Sequence, residues 1–126
     1  MFKLLKIENG RINVPEPIAF TAGVAFKSGT ALKLSGGKLA LADGAPEYIA
    51  LSDGVADTEA TVYRVTPDMV FEAPVSASPE ALTEGDRVTL SEDATKLTAT
   101  TSNGVATIIN KNGAEAVGDK LVVIFA

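Results

Sequence analysis

Asp53, Asp57 and Glu59 fall on one short stretch, and Glu92 stands beside Asp93. Carboxylates gathered in loops can ligate a hard cation or divide acid and base roles in a hydrolase. The spacing D-x-x-x-D-x-E does not supply the alternating ligands and sharp glycine turn of a calcium loop. The Asp-Thr-Gly triplet of aspartic proteases is absent, because Asp57-Thr58 runs into Glu59. Gly37-Lys38 matches the end of a phosphate loop, but Leu39 stands where the metal-binding hydroxyl belongs and the upstream glycine is missing. The chain contains no His and no Cys. Mechanisms built on a Ser-His or Cys-His pair, a His-held metal or a thiolate are therefore excluded. The carboxylates read as a solvated acidic surface, with no catalytic residue, metal or cofactor expected.

The elements that position these residues follow a period of two. Leu32-Lys33-Leu34-Ser35, Lys38-Leu39-Ala40-Leu41, Arg87-Val88-Thr89-Leu90-Ser91 and Lys96-Leu97-Thr98-Ala99-Thr100 alternate apolar with polar, as strands with one buried face do. Thr61-Val62-Tyr63-Arg64-Val65-Thr66 is rich in residues that suit a pleated surface. The continuous run Leu121-Val122-Val123-Ile124-Phe125 predicts a central strand buried on both faces. Asn9-Gly10, Gly36-Gly37, Asp43-Gly44, Asp53-Gly54, Asn103-Gly104 and Asn112-Gly113 punctuate the runs as turns. Ser78-Pro79-Glu80-Ala81-Leu82 offers one helical turn at most, with Ser78 as cap and Gly85 as stop. These features predict an all-β chain, a small antiparallel β-barrel or sandwich with an N-terminal hairpin.

A repeat is visible within it. Gly29-Thr30-Ala31-Leu32-Lys33-Leu34-Ser35 parallels Gly85-Asp86-Arg87-Val88-Thr89-Leu90-Ser91. Lys38-Leu39 and Lys96-Leu97 follow, then Ile49-Ala50-Leu51-Ser52 and Ile108-Ile109-Asn110. Two readings stand open: an internal duplication, or convergence on hairpin chemistry. Pro15-Glu16-Pro17 is a stiff breaker that divides residues 1–17, an N-terminal hairpin or arm, from a single β-barrel domain over 18–126. The hairpin carries Phe2, Leu4, Leu5 and Ile7, with Ile12 and Val14 after its turn. These side chains pack as the first strands of the core or form an arm that docks on a neighbour. Phe2, Leu4, Leu5 and Ile7 are the candidate protein–protein contact.

The net charge is −5 over 126 residues, which argues against nucleic acid as a partner. Residues 1–38 hold six Lys and Arg against two carboxylates, for +4. The remainder holds five against fourteen, for −9. Such asymmetry can steer copies head to tail, or simply keep outer faces wet. No apolar run approaches the roughly 20 residues of a membrane helix. Lys6 and Glu8 interrupt the apolar start, which reads as a retained segment of the mature protein. Only five Phe and two Tyr are present, and Tyr63, Phe71 and Phe125 sit in strand-like runs that place them in the core rather than on a stacking surface.

From residue 20 onward the chain resembles a family of small phage and prophage head proteins that decorate or stabilise capsids. The matching pieces are the Gly29–Leu34 strand, Val70-Phe71-Glu72-Ala73-Pro74, Leu82-Thr83-Glu84-Gly85-Asp86-Arg87-Val88 and Gly118-Asp119-Lys120-Leu121-Val122-Val123. Asp68-Met69 departs from the family's glycine-led turn. The resemblance implies an all-β fold, a homo-oligomer with a trimer favoured, the major capsid protein as partner, and a place in the host cytoplasm or the virion head. It brings no catalytic residues. A non-catalytic β module for a saccharide or peptide is the alternative, and it requires a concave pocket with converging polar groups. An acid-dependent hydrolase requires two adjacent buried carboxylates in a cleft.

Overall fold

The computed structural model describes residues 1–7 and 15–126. Among these there is no helix. Ten strands run in order: β1 Lys3–Ile7, β2 Ile18–Thr21, β3 Ala31–Ser35, β4 Lys38–Leu41, β5 Tyr48–Ala50, β6 Glu59–Arg64, β7 Met69–Pro74, β8 Arg87–Val88, β9 Ala106–Asn110 and β10 Lys120–Ile124. They form two five-stranded antiparallel sheets, one ordered β1-β7-β10-β9-β8 and the other β2-β6-β5-β3-β4. The fold is all-β as expected, but the expected barrel is not closed. In the second sheet the outer strands meet only at a bridge between Ala22 and Leu39, so curling stops short of a continuous ladder. The Ser78–Leu82 stretch makes a single turn, closed by the Leu82 amide on the Pro79 carbonyl at 3.0 Å. The Asn9-Gly10 hairpin, with Ile12 and Val14, lies outside the described residues.

Alternation decides which side chains meet. In the second sheet Ala31, Ile49 and Tyr63 point toward the first sheet and share a core with Phe71, Leu121 and Val123. Their neighbours Leu32, Tyr48, Ala50 and Val62 point the other way, into a smaller cluster with Ala22, Phe26, Leu39 and Ala60. This sheet is therefore apolar on both faces, and its short middle strand β5 is buried throughout. The aromatic rings of the main core form a chain of contacts. Phe2 lies 5.5 Å from Phe125, Phe125 lies 5.2 Å from Phe71, and Phe71 stacks on Tyr63 at 6.4 Å. Both ends of the chain are thereby fastened to the interface between the sheets.

One expectation fails here. β10 is an inner strand, but it is not buried on both faces. Leu121 and Val123 are enclosed while Val122 and Ile124 are half-buried. The reason is that the first sheet has a single packed face, so only alternate residues of the run enter the core.

The repeat is structural. In the first half β2 pairs β6 with Ile18 opposite Val62. In the second, β7 pairs β10 with Phe71 opposite Val123. Ile49 opposite Tyr63 matches Thr107 opposite Ile124, and Ala31 opposite Ile49 matches Arg87 opposite Thr107. The hairpin pairs Leu34–Leu39 and Leu90–Leu97 correspond, as do the parallel bridges Ala22–Leu39 and Val75–Leu97. Gly29 and Gly85 open the equivalent strands at φ 89° and 95°, in the left-handed region that favours glycine. Two halves on one plan thus account for nine of the ten strands. β1 is an addition, paired antiparallel to β7. The halves diverge where their surroundings differ. The buried Ala31, Ile49 and Tyr63 of the first half correspond to Arg87, Thr107 and Ile124, which the second half leaves partly or wholly exposed.

Thr30 is buried, and its hydroxyl has no hydrogen-bond partner among the described residues. An enclosed hydroxyl without a partner carries a desolvation cost of about 1–3 kcal/mol. Thr30→Val keeps the shape and removes that group. It is expected to raise the unfolding free energy by about 1 kcal/mol, read from the urea midpoint.

Candidate protein-contact surface

Of the acidic residues singled out by the sequence, Asp53, Asp57 and Asp93 brace loops, as does Asp119, while Glu59 opens β6. Asp53 accepts the Ser28 amide at 2.8 Å and faces the Lys27 ammonium at 3.6 Å. Asp57 pairs with Lys38 at 2.9 Å. Asp93 accepts the hydroxyls of Ser91 and Thr95, each at 2.7 Å. Asp119 accepts the amides of Glu115 and Ala116 at 3.0 and 3.1 Å. Among the described residues no three of His, Cys, Asp and Glu are grouped to hold a metal ion. The structure does not bring these carboxylates together into one site.

Their protonation follows from these bonds. The Ser28 amide, helped by Lys27, holds Asp53 below the ordinary Asp range. The Thr95 and Ser91 hydroxyls do the same for Asp93, and the Glu115 and Ala116 amides for Asp119. A carboxyl whose folded pKa lies below its unfolded value stabilises the fold at higher pH. That contribution is complete above the unfolded value of about 4 and disappears as pH falls through the folded values. Thermal melts are therefore expected to be level from neutral pH to about 5 and to fall progressively below about 4. Asp119→Asn is expected to flatten part of that acid-side slope.

The N-terminal candidates have separate fates. Phe2 and Ile7 are buried in the chain's own core, and Leu4 packs against it. Leu5 remains 43% exposed. It lies at a register shift between Leu4 and Lys6, where the β1–β7 ladder carries an extra residue. Lys3 and Lys6 flank it on this edge strand. A bulge with lysines beside it discourages the addition of a foreign strand.

Four of the exposed apolar side chains lie at or near matching places in the two halves, whereas Met1, Leu5 and Val24 do not. Leu51 is 44% exposed and Ile109 is 40% exposed. They are equivalents, since the residues just before them, Ala50 and Ile108, accept the amides of Gly29 and Gly85 at 2.8 and 2.7 Å. Val55 and Val117 are more exposed, at 63% and 64%. Each sits in a four-residue turn closed by one amide, Thr58 to the Val55 carbonyl at 3.0 Å and Asp119 to the Ala116 carbonyl at 3.1 Å. The third residues of the two turns, Asp57 and Gly118, both have positive φ. The sequence reading did not select these four residues. The signal was present in the aligned Ile49-Ala50-Leu51-Ser52 and Ile108-Ile109-Asn110, where an outward position is apolar in both copies.

Beside the second turn lies an open depression of about 400 Å³, lined by Asn112, Gly113, Ala114, Gly118, Asp119 and Lys120. Asp119 is already occupied with the loop's own amides. Among the described residues no helix is long and apolar enough to cross a membrane.

No family model matches the chain, and no curated protein matches it in sequence. A solved structure is similar in fold: the N base of the head fiber protein gp8.5 of bacteriophage phi29. The TM-score is 0.61 at 17% sequence identity, and the match covers 90% of this chain and 95% of that one. The chain thus shares its all-β fold, over nearly its whole length, with the base of a phage head fiber.

Proposed function

We propose that this chain is a structural component of a phage or prophage head, a decoration or cement protein that acts by protein–protein contact and not by catalysis. The match with the base of a phage head fiber carries this reading, because it spans almost all of both chains. The sequence resemblance to head decoration proteins points the same way from different residues. The use of the carboxylates as loop scaffolding adds support, since they are committed to amides, hydroxyls and lysines. The partner proposed is the major capsid protein. The protein is further proposed to self-associate, with a trimer favoured, and to reside on the virion head after assembly in the host cytoplasm.

Two measurements test the reading. Light scattering on the purified chain is expected to give a mass near three times 13.0 kDa at high concentration. Shells assembled from the major capsid protein of the same genome are expected to carry the chain into the pellet in a saturable manner. A strict 13.0 kDa monomer that stays in the supernatant at every concentration contradicts the proposal.

A further inference from the structure

Asparagine stands directly before glycine at Asn9, Asn103 and Asn112. Asparagine is chemically labile, most of all in this setting, because glycine has no side chain to shield the amide nitrogen that follows. Asn9-Gly10 lies outside the described residues. The other two pairs share a backbone conformation, with φ of 58° at Asn103 and 57° at Asn112. Their surroundings differ. Gly104 is half-buried, and a Cβ built on it would collide with the Arg87 carbonyl, so its peptide is seated against β8. The next residue is tied to the same strand by the Val105 amide on the Val88 carbonyl at 2.9 Å. Asn112 and Gly113 are both exposed, and nothing lies within 4 Å of a Cβ built on Gly113. Both line the open depression at the β9–β10 connection, where solvent reaches them. Their turn is held by the Ala114 amide on the Lys111 carbonyl at 3.0 Å and the Asn112 amide on Asn110 Oδ1 at 2.7 Å. Neither bond involves the Asn112 side-chain amide or the Gly113 N–H, which have no partner among the described residues.

We infer that Asn112-Gly113 is a site of spontaneous deamidation that the fold leaves open, while the same fold shields Asn103-Gly104. The Gly113 nitrogen attacks the Asn112 Cγ. A new C–N bond forms, the bond from Cγ to the side-chain nitrogen breaks, and the Gly113 proton passes through water to the departing ammonia. The resulting succinimide takes up water at either carbonyl and opens to aspartate or isoaspartate. The net change is one water consumed and one ammonia released. Closing the ring requires the Asn–Gly peptide to rotate out of its turn. At Asn112 that rotation moves exposed atoms, whereas at Asn103 it must lift Gly104 off the Arg87 backbone. The product gives the β9–β10 connection a new negative charge and, in the isoaspartyl form, an extra main-chain carbon. This chemistry is independent of the reading of the chain as a head component.

The experiment holds the purified full chain at mildly alkaline pH and digests samples with trypsin at intervals, with the zero-time digest subtracted. Trypsin separates the sites, since Asn103 falls in residues 97–111 and Asn112 in residues 112–120. The second peptide is expected to gain about 1 Da with time and to divide on chromatography into isoaspartyl and aspartyl forms. Fragmentation reads Asn103 apart from Asn110. In the folded chain Asn103 is expected to react at least about tenfold more slowly, the factor that about 1.4 kcal/mol of added barrier gives. In concentrated urea the two rates are expected to converge. No gain in residues 112–120, or equal rates in the folded chain, overturns the inference. A difference that persists undiminished in urea overturns it too, by tracing the selectivity to neighbouring residues instead of the fold.

Discussion

Replacing Phe71 by Ala is expected to lower the free energy of unfolding by about 3–5 kcal/mol, enough to unfold much of the population at physiological temperature. Phe71 is fully enclosed in the main core. Its ring touches Phe125 at 5.2 Å on one side and stacks on Tyr63 at 6.4 Å on the other. The first contact belongs to the second half of the chain and its C-terminal end, the second to the first half. Truncation thus leaves a cavity at the junction of the two sheets, where rigid strand pairing on both sides limits collapse. Urea unfolding followed by circular dichroism measures the effect. Ile109→Ala, at an exposed position on the same sheet, is the control, with an expected change within about 0.5 kcal/mol.

Gly54→Ala is the second large effect. A Cβ built on Gly54 would lie 2.4 to 2.7 Å from three ring atoms of Phe26. The two residues are locked by reciprocal backbone bonds, the Phe26 amide to the Gly54 carbonyl at 3.2 Å and the Gly54 amide to the Phe26 carbonyl at 2.8 Å. The ring cannot slide away easily, because it is buried in the smaller cluster with Leu32, Leu39 and Val62. An overpacked site of this kind costs about 1–3 kcal/mol. Phe26→Leu in the same chain opens space and is expected to recover part of that loss, so that the double variant is more stable than the two single changes added together. Strict additivity would show that the ring contact is not what forbids a side chain at position 54.

Several strand positions were legible from the period of two, but the alternating Arg87–Ser91 shortens to the two-residue β8, and Lys96–Thr100 forms no strand, only bridges at Leu97. Leu32-Lys33-Leu34-Ser35 and Lys38-Leu39-Ala40-Leu41 form β3 and β4, and the intervening Gly36-Gly37 turn has φ values of 59° and 80°. The repeat was legible at Gly29 and Gly85, where the backbone takes a positive φ that favours glycine. Closure was not legible. It depends on where ladders shift register, as at Leu4/Lys6 and at Val122/Val123, and a bulge leaves the apolar pattern almost unchanged. Asp53-Gly54 was read as a turn from its residue types, yet Gly54 serves as the seat for the Phe26 ring. That role is set by a residue 28 positions away in sequence. Phe2, Leu4, Leu5 and Ile7 look alike as a string. The fold divides them into inward Phe2 and Ile7 and outward Leu5. The exposure of Leu51, Val55, Ile109 and Val117 was hidden for a related reason, since it depends on which neighbours the fold brings over each side chain.

Throughout, the same physical picture connects these points: a doubled, cross-packed β fold whose acids serve its loops, proposed to act by contact with a phage shell. Electron cryomicroscopy of capsid shells incubated with the purified chain tests it most directly. The proposed head role predicts regular density of the size of this fold on the shell exterior. Bare shells at saturating protein would contradict it.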